Sequence, residues 1–243
     1  MPFVRKIFLV VSNPEQVPNY ARKIGNLEVV LHRDIIPDKF LPTFNCMTIE
    51  MFLHRIPGLS EHFIYFNDDM IILRKQKPDR WFDMETGIPN NGFKFSKYKY
   101  PMPAYIYAFL NSLKVAAAAA NHHDYPTCDG KYFTLQHTTK AMLKSTCHEL
   151  SNKIQDKIDA SCTTFRDKNN LNIYMFQFYD LFTGRCNNVT RKSFKHVVNG
   201  KGLLLDFYYN DEICVNFTDE SEKRTYLERM ARTLKCDKPP RCP

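Results

Sequence analysis

The chain has 243 residues, 44% of them hydrophobic and 25% charged, with a formal net charge of +8. That length is enough for one large α/β domain, or a domain with a subdomain, and the balance excludes a disordered polypeptide. No run approaches the roughly 20 apolar residues that cross a bilayer, and residues 1–11 lack the small-residue cleavage site of a signal peptide.

Strand-like apolar runs cover residues 5–12, 28–32 and 62–66, separated by helical or turn segments. This β-α-β-α-β order predicts a parallel sheet with right-handed crossovers. Between the second and third strands, Ile49, Phe52, Leu53 and Ile56 recur at the spacing of one helical face. Asn45 is placed to cap that helix and Pro57-Gly58 to stop it. Glu50 and His54, four apart, share one side of it, with Arg55 alongside.

The third strand ends in Asn67-Asp68-Asp69. Ligands of open α/β sheets bind beyond the carboxyl ends of strands, and adjacent carboxylates there suit a hard cation such as Mg²⁺ or Mn²⁺. A surface turn that merely uses Asp is the alternative.

Residues 76–132 show no sustained periodicity and read as an insertion or lid. Within them, residues 93–109 interleave Lys with aromatics, but no nucleic-acid signature accompanies them, so a half-buried strand is expected and no nucleic-acid partner. A basic wall around a phosphorylated sugar explains the same charge. His122, His123 and Cys128 could contribute to a metal cluster, with plain surface the preferred reading. Residues 138–160 and 170–182 read as helices, the second with Leu171, Met175, Phe178 and Phe182 turned to the core and Gly184 as its stop. Asn199-Gly200 predicts a tight hairpin between FKHVV and LLLDFYY. A strand over residues 212–217 precedes a final helix, capped near Thr218 or Asp219, with Tyr226, Leu227, Met230 and Leu234 inward.

The eight cysteines form no C-x-x-C pair, which argues against a zinc ribbon. Disulfides are expected only in a lumenal or secreted setting, where Asn188-Val189-Thr190 and Asn216-Phe217-Thr218 would be glycosylation sequons. Asn216, in a strand, is a poor site for a glycan.

VRKIFLVVSN (4–13), QVPNY (16–20), VVLHRDIIP (29–37), LPTFN (41–45), IEMFLHRIPGLSE (49–61) and FIYFNDDM (63–70) closely resemble, in order, one block of the Stealth family. That family includes bacterial capsular polysaccharide phosphotransferases and the catalytic subunit of the animal lysosomal-enzyme N-acetylglucosamine-1-phosphotransferase. The match is dense over the first third of the chain and thinner beyond. LQHTTKAMLKSTCHEL (135–150) resembles the segment in which a histidine opens a helix, here His137, with Thr138-Thr139 where the family usually has a proline. TTFRDKNNLNIYMFQFYDL (163–181) resembles its arginine and aromatic helix, here Arg166. EICVNF (212–217) resembles its last block, with Phe217 in place of the usual Asp. Family members open with a strand and turn of the type DVVYTWVNG, and this chain starts at the following strand. The expectation is a fragment, a misjudged gene start or a degenerate homologue, with any membrane attachment confined to a missing upstream segment.

The resemblance implies an α/β fold, a doubly wound mostly parallel sheet with a helical insertion and a C-terminal hairpin plus helix. It would form a single domain over 1–243: a sheet core over 1–75, the insertion or lid over 76–132, then helices, hairpin and final helix over 133–243. It also implies transfer of a sugar-1-phosphate from a nucleotide-diphosphate sugar to a glycan hydroxyl, with release of a nucleoside monophosphate. Asp68 and Asp69 would hold Mg²⁺ or Mn²⁺, His137 would act as general base, and Arg166 would stabilise charge on the phosphoryl group. Asn45, Glu50, His54, Arg55 and Asn67 would line the substrate. The alternatives for these two residues are a helix-start histidine at 137 and a surface ion pair at Arg166. A metal-dependent glycosyltransferase and a truncated non-catalytic glycan- or nucleotide-binding homologue are the other function classes. The compartment would be the Golgi lumen for a eukaryotic member, and the cytoplasm or inner-membrane face for a bacterial one.

Overall fold

The computed structural model describes residues 1–97, 101–126, 128–198, 210–216 and 218–234. The first three expected strands are present: β1 (Ile7–Val11), β2 (Leu27–Leu31) and β3 (His62–Tyr65). β1 and β2 pair in parallel, in register from Ile7 with Leu27 to Val11 with Leu31. A short helix α1 (His32–Ile35) follows β2. Asn45 caps α2 (Cys46–Glu50), its side chain accepting from the Met47 amide, and a 3-10 turn over Leu53–Arg55 continues the apolar face. Gly58, at φ +73°, turns the chain into β3 in the left-handed conformation that glycine adopts without steric cost.

β3 does not add to the β1–β2 pair. A cavity of about 1340 Å³ lies between them, lined by the consecutive residues 7–10 of β1 and 62–65 of β3. Neighbouring residues on a strand point to opposite faces, so a consecutive lining means that each strand turns its hydrogen-bonding edge to the gap. Arg5 Nη2 donates to Ser60 Oγ at 2.7 Å across the amino ends of the two strands. The parallel sheet expected here is thus met in its first pair alone.

The sheets that form are small and mixed. They are built from β4 (Met70–Ile72), β5 (Asn90–Asn91), β6 (Phe93–Lys97), β7 (Lys131–Leu135), β8 (Lys140–Leu143), β9 (Asn187–Asn188), β10 (Phe194–Val198) and β11 (Glu212–Asn216). β3 pairs antiparallel with β8, β4 antiparallel with β11, β10 parallel with β11, β6 antiparallel with β7 and β5 parallel with β9.

The helix expected over residues 138–160 is corrected at its start. Residues 140–143 are strand β8, and α4 (Lys144–Lys153) and α5 (Gln155–Ser161) follow, broken at Ile154. The run Lys-Ala-Met-Leu fits either period, and pairing with β3 decides it. His137 therefore precedes a strand and opens no helix.

The core forms where α3 (Ala104–Ala119) packs on α6 (Tyr174–Phe182) and on β6–β7. Leu113, Ala116 and Ala119 of α3 join Met175, Phe176 and Phe178 of α6, and the stacked rings of Phe93 and Phe133 lie beside Phe178. Leu171, Met175 and Phe178 are buried as expected, Phe182 partly, and Gly184 at φ +71° ends the helix. Part of the stretch read as an insertion is therefore core. A second cluster unites Val197, Ile213 and Val215 with Tyr226 and Leu227 of the last helix, α7 (Glu220–Leu234). Asp219 caps α7, accepting from the Ser221 and Glu222 amides. The Asn199-Gly200 hairpin, Phe217 and the side chains of Met230 and Leu234 lie outside the described residues. Among the described residues no helix is long and apolar enough to cross a membrane, and the six described cysteines are free thiols.

Asp180 of α6 is 1% exposed, and its Oδ1 has no hydrogen-bond partner. Burial pushes its carboxyl up to about 7, against the Thr146 hydroxyl and the Arg185 charge. A carboxyl whose folded pKa lies above the unfolded value near 3.9 stabilises while protonated, and that contribution fades as pH climbs from about 4 to about 7. Asp180→Asn keeps the shape and removes the ionisation. The variant is expected to approach the wild type near pH 4 and to exceed it at pH 8 by roughly 4 kcal/mol, about 1.4 kcal/mol for each of the roughly three pH units between the two pKa values, read from urea midpoints. An equal difference at both pH values would show that Asp180 does not carry this dependence.

Candidate active site

Strand register assembles the site. The turn Phe66-Asn67-Asp68-Asp69 joins β3, paired to β8, with β4, paired to β11, so it stands at the junction of two sheets. In the β3–β8 ladder Tyr65 lies opposite Lys140, which brings His137, three residues earlier, beside the turn. In the β4–β11 ladder Met70 lies opposite Cys214, and the Val215 amide donates to the Asp69 carbonyl at 2.8 Å. Asp69, His137, Cys214 and Asn216 converge for that reason.

His137 Nε2 lies 3.3 Å from Asp69 Oδ2, and its Nδ1 lies 3.1 Å from the Tyr174 hydroxyl at the start of α6. One consistent arrangement of the neutral ring has Nδ1–H donating to the Tyr174 oxygen, which leaves Nε2 as the basic nitrogen beside Asp69. Burial alone would raise the Asp69 pKa, but the hydrogen bond and charge of His137 and the approach of Cys214 and Asn216 outweigh it and hold the carboxyl down to about 2. Asp69 is a carboxylate at neutral pH. Its Oδ1 is buried and makes no full hydrogen bond. Burial pushes the Cys214 thiol far up, with the Asp69 charge adding to the effect, so Cys214 stays protonated. His196 stands 5.6 Å from the His137 ring, and its Nε2 lies 2.9 Å from Asn216 Nδ2. Asn216 is thus engaged in the site, in keeping with its poor promise as a glycan acceptor. Lys140 is 1% exposed, its ammonium 4.6 Å from the Tyr174 ring centre and donating to the Thr138 carbonyl at 2.8 Å. Burial lowers its pKa to about 8 despite attraction from Glu50 and Glu212.

The other expected site residues are spread around this centre. Asp68 is exposed and lines the cavity together with Asn67, whose Oδ1 is buried without a partner. Glu50 also lines it, accepting from the Tyr65 hydroxyl at 2.6 Å, and burial raises its pKa. Arg166 is exposed, with Nη2 at 3.2 Å from Cys46 Sγ, and Cys46 borders the same cavity. Asn45 is fully buried and spends its amide on Thr163 and Asn170. His54 is buried edge-on against His148 at 4.6 Å, and burial, reinforced by His148 and Arg55, lowers its pKa to about 3. Arg55 is exposed over the Phe52 ring. Lone residues did not single out Tyr174, Lys140 or His196, though Cys214 and Asn216 stand in the EICVNF segment.

Asp69, His137 and Cys214 are the one set of metal-ligating side chains that converges among the described residues, with ligand atoms within 4.8 Å of one another. His122, His123 and Cys128 form no such group, and His122 stacks on Phe182. A carboxylate, an imidazole and a thiol suit a borderline ion such as Zn²⁺ better than Mg²⁺, which prefers oxygen. Asp68 is not part of that set; it is exposed and lines the cavity.

Residues 1–89 match the family model described as Stealth protein CR2, conserved region 2. That match places residues 1–89 in the Stealth family. The chain is 29% identical over 218 residues to the exopolysaccharide phosphotransferase cps2G of Lactiplantibacillus plantarum, covering 76% of the chain and 62% of the relative. It is 26% identical over 215 residues to the receptor polysaccharide phosphotransferase WefC of Streptococcus oralis, with the same coverage of each. It is 48% identical over 84 residues to a capsular polysaccharide phosphotransferase of Actinobacillus suis, covering 34% of the chain and 22% of the relative. The aligned part thus spans less than two thirds of the length of these relatives.

Proposed function

We propose that this chain transfers a sugar-1-phosphate from a nucleotide-diphosphate sugar to a hydroxyl of a glycan. The observation that carries the reading is the Asp69–His137–Tyr174 chain of contacts, in a protein whose relatives are named polysaccharide phosphotransferases. The acceptor oxygen forms a bond to the sugar-linked phosphorus and gives its proton to His137. The bridging phosphoanhydride bond breaks, and the nucleoside monophosphate leaves with the electron pair. Tyr174 fixes the ring through Nδ1, and the Asp69 carboxylate stabilises the imidazolium that forms. The neutral ring keeps its proton on Nδ1, so Nε2 takes the proton of the acceptor hydroxyl and the resulting Nε2–H faces Asp69 at 3.3 Å. The His137 side chain is 32% exposed, which leaves Nε2 accessible to that hydroxyl. Arg166, at the rim, offers its guanidinium to a phosphoryl oxygen.

In this reading Asp69 and Asp68 hold Mg²⁺ or Mn²⁺, the buried and unsatisfied Asp69 Oδ1 being the oxygen that a cation would satisfy. The ion would neutralise charge on the diphosphate. The chain is tested by incubation with UDP-N-acetylglucosamine and other nucleotide sugars, Mg²⁺ or Mn²⁺, and a panel of acceptor sugars, followed by identification of the released nucleotide. A nucleoside monophosphate is the expected product. Release of the diphosphate would establish glycosyl transfer instead, and binding without release would mark a non-catalytic homologue.

A further inference from the structure

Phe44 and Phe165 are 72% and 68% exposed, and their rings lie against each other with centroids 5.6 Å apart and planes 14° from parallel. They come from different loops, one entering α2 and one leaving α5. A buried polar network fastens those loops together. The Phe44 amide donates to the Thr164 carbonyl at 2.9 Å, and the hydroxyls of Thr43 and Thr48 both donate to the Thr163 carbonyl, at 3.1 and 2.9 Å. Asn45 Nδ2 reaches Asn170 Oδ1 at 3.0 Å, Thr163 Oγ1 at 3.1 Å and the Phe165 carbonyl at 3.4 Å. Asn45 and Asn170 are 0% and 1% exposed, so this network is interior and rigid, while the two rings it carries face solvent. A fixed apolar surface displayed on loops is the form a ligand contact takes.

The geometry selects the ligand class. A flat base inserted between two rings needs about 7 Å, twice an ordinary stacking contact of about 3.5 Å, and these rings are already closed on each other. The surface is therefore one-sided. The C–H face of a pyranose matches such a surface, and its hydroxyl rim calls for polar neighbours. Thr164, Asp167 and Asn169 flank Phe165 in the same loop, with Thr164 and Asn169 exposed. Next to Phe165, Arg166 reaches Cys46 on the wall of the cavity that Asp68 also lines.

We propose that Phe44 and Phe165 form a stacking platform for a pyranose ring of the glycan acceptor, beside Arg166. This rests on the reading of the chain as one that acts on a glycan, and it adds where the acceptor sits. Asn45 then serves as a positioning residue that holds the platform.

The test is saturation-transfer NMR on the full chain with four neutral disaccharides, N,N′-diacetylchitobiose, cellobiose, maltose and lactose, and separately with UDP-N-acetylglucosamine. Ring protons of at least one disaccharide are expected to receive saturation from the wild type. Phe44→Ala and Phe165→Ala are expected to weaken that binding at least about tenfold with unchanged thermal unfolding, as loss of an aromatic anchor does. The proposal is overturned if no disaccharide binds the wild type, or if the alanine variants bind it unchanged. It is also overturned if the variants lose saturation of the uracil protons alone, which would make the rings a base-stacking site. None of these readouts needs turnover. A chain that binds a disaccharide through the two rings yet releases no nucleotide keeps the platform and loses the transferase reading.

Discussion

Asp69→Asn is expected to lower sugar-phosphate transfer roughly 10²- to 10⁴-fold with little loss of folding, the range by which a positioned acid–base system contributes. The structure separates the two effects. The backbone role of residue 69, its carbonyl accepting from Val215, survives the substitution, and asparagine has the same size as aspartate. What disappears is a carboxylate held at a pKa of about 2, and with it the charge that stabilises a protonated His137. His137→Ala should cost a similar factor, and the double variant little more than either alone, because the two side chains act as one unit. Initial rates of nucleotide release, with urea midpoints as the folding control, check this. An Asp69→Asn chain that turns over within a few-fold of the wild type would remove Asp69 from the chemistry.

β1, β2 and β3 were legible in the sequence because each is a compact apolar run, and the position of Asp69 just beyond β3 was legible because acids that end such a run are conspicuous. Pairing was not. β3 and β8 are far apart in sequence, and their association is decided by packing that no local window contains. The same pairing turns the first residues of the helix expected over 138–160 into a strand and carries His137 to Asp69. Tyr174, Lys140 and His196 reach the site by register and helix docking alone, so their types gave no warning. Asn45 shows the converse limit. Its position before the apolar face of α2 correctly marked it as a cap, yet the same polar side chain could equally have faced a substrate. Only the burial of its amide among Thr163 and Asn170 decides between the two. His54, four residues beyond Glu50, likewise has ligand chemistry by type and a core position in fact, packed between His148 and Phe176.

Glu212→Ala is expected to cost about 3–5 kcal/mol of stability, the penalty for removing one partner from a buried ionic cluster. Glu212 is fully buried and accepts from Arg80 Nη2 at 2.8 Å, from Arg191 Nη1 at 3.1 Å and from both the amide and the hydroxyl of Thr139. Both guanidiniums also lie over the ring of Trp81, whose indole donates to the Thr139 hydroxyl at 2.9 Å. Burial pulls the Arg191 pKa down to about 10, with Glu212 acting against it, so at neutral pH the arginine remains charged. Without the carboxylate, Arg191 is a buried cation with no carboxylate partner among the described residues, and the ion pairing of Arg80 there falls to the looser contact with Asp211 at 3.6 Å. Glu212→Gln preserves volume and two acceptor lone pairs, so a loss close to that of alanine would assign the effect to charge. Urea unfolding is followed by Trp81, the sole tryptophan, which reports on this cluster directly. A loss below about 1 kcal/mol for the alanine variant would show that the cluster contributes no more than a surface pair. Glu212 also begins β11, the strand that brings Cys214 and Asn216 to Asp69. Its removal is therefore expected to lower transfer as well, through loss of the register that assembles the site, and partial restoration by glutamine should track stability and not chemistry.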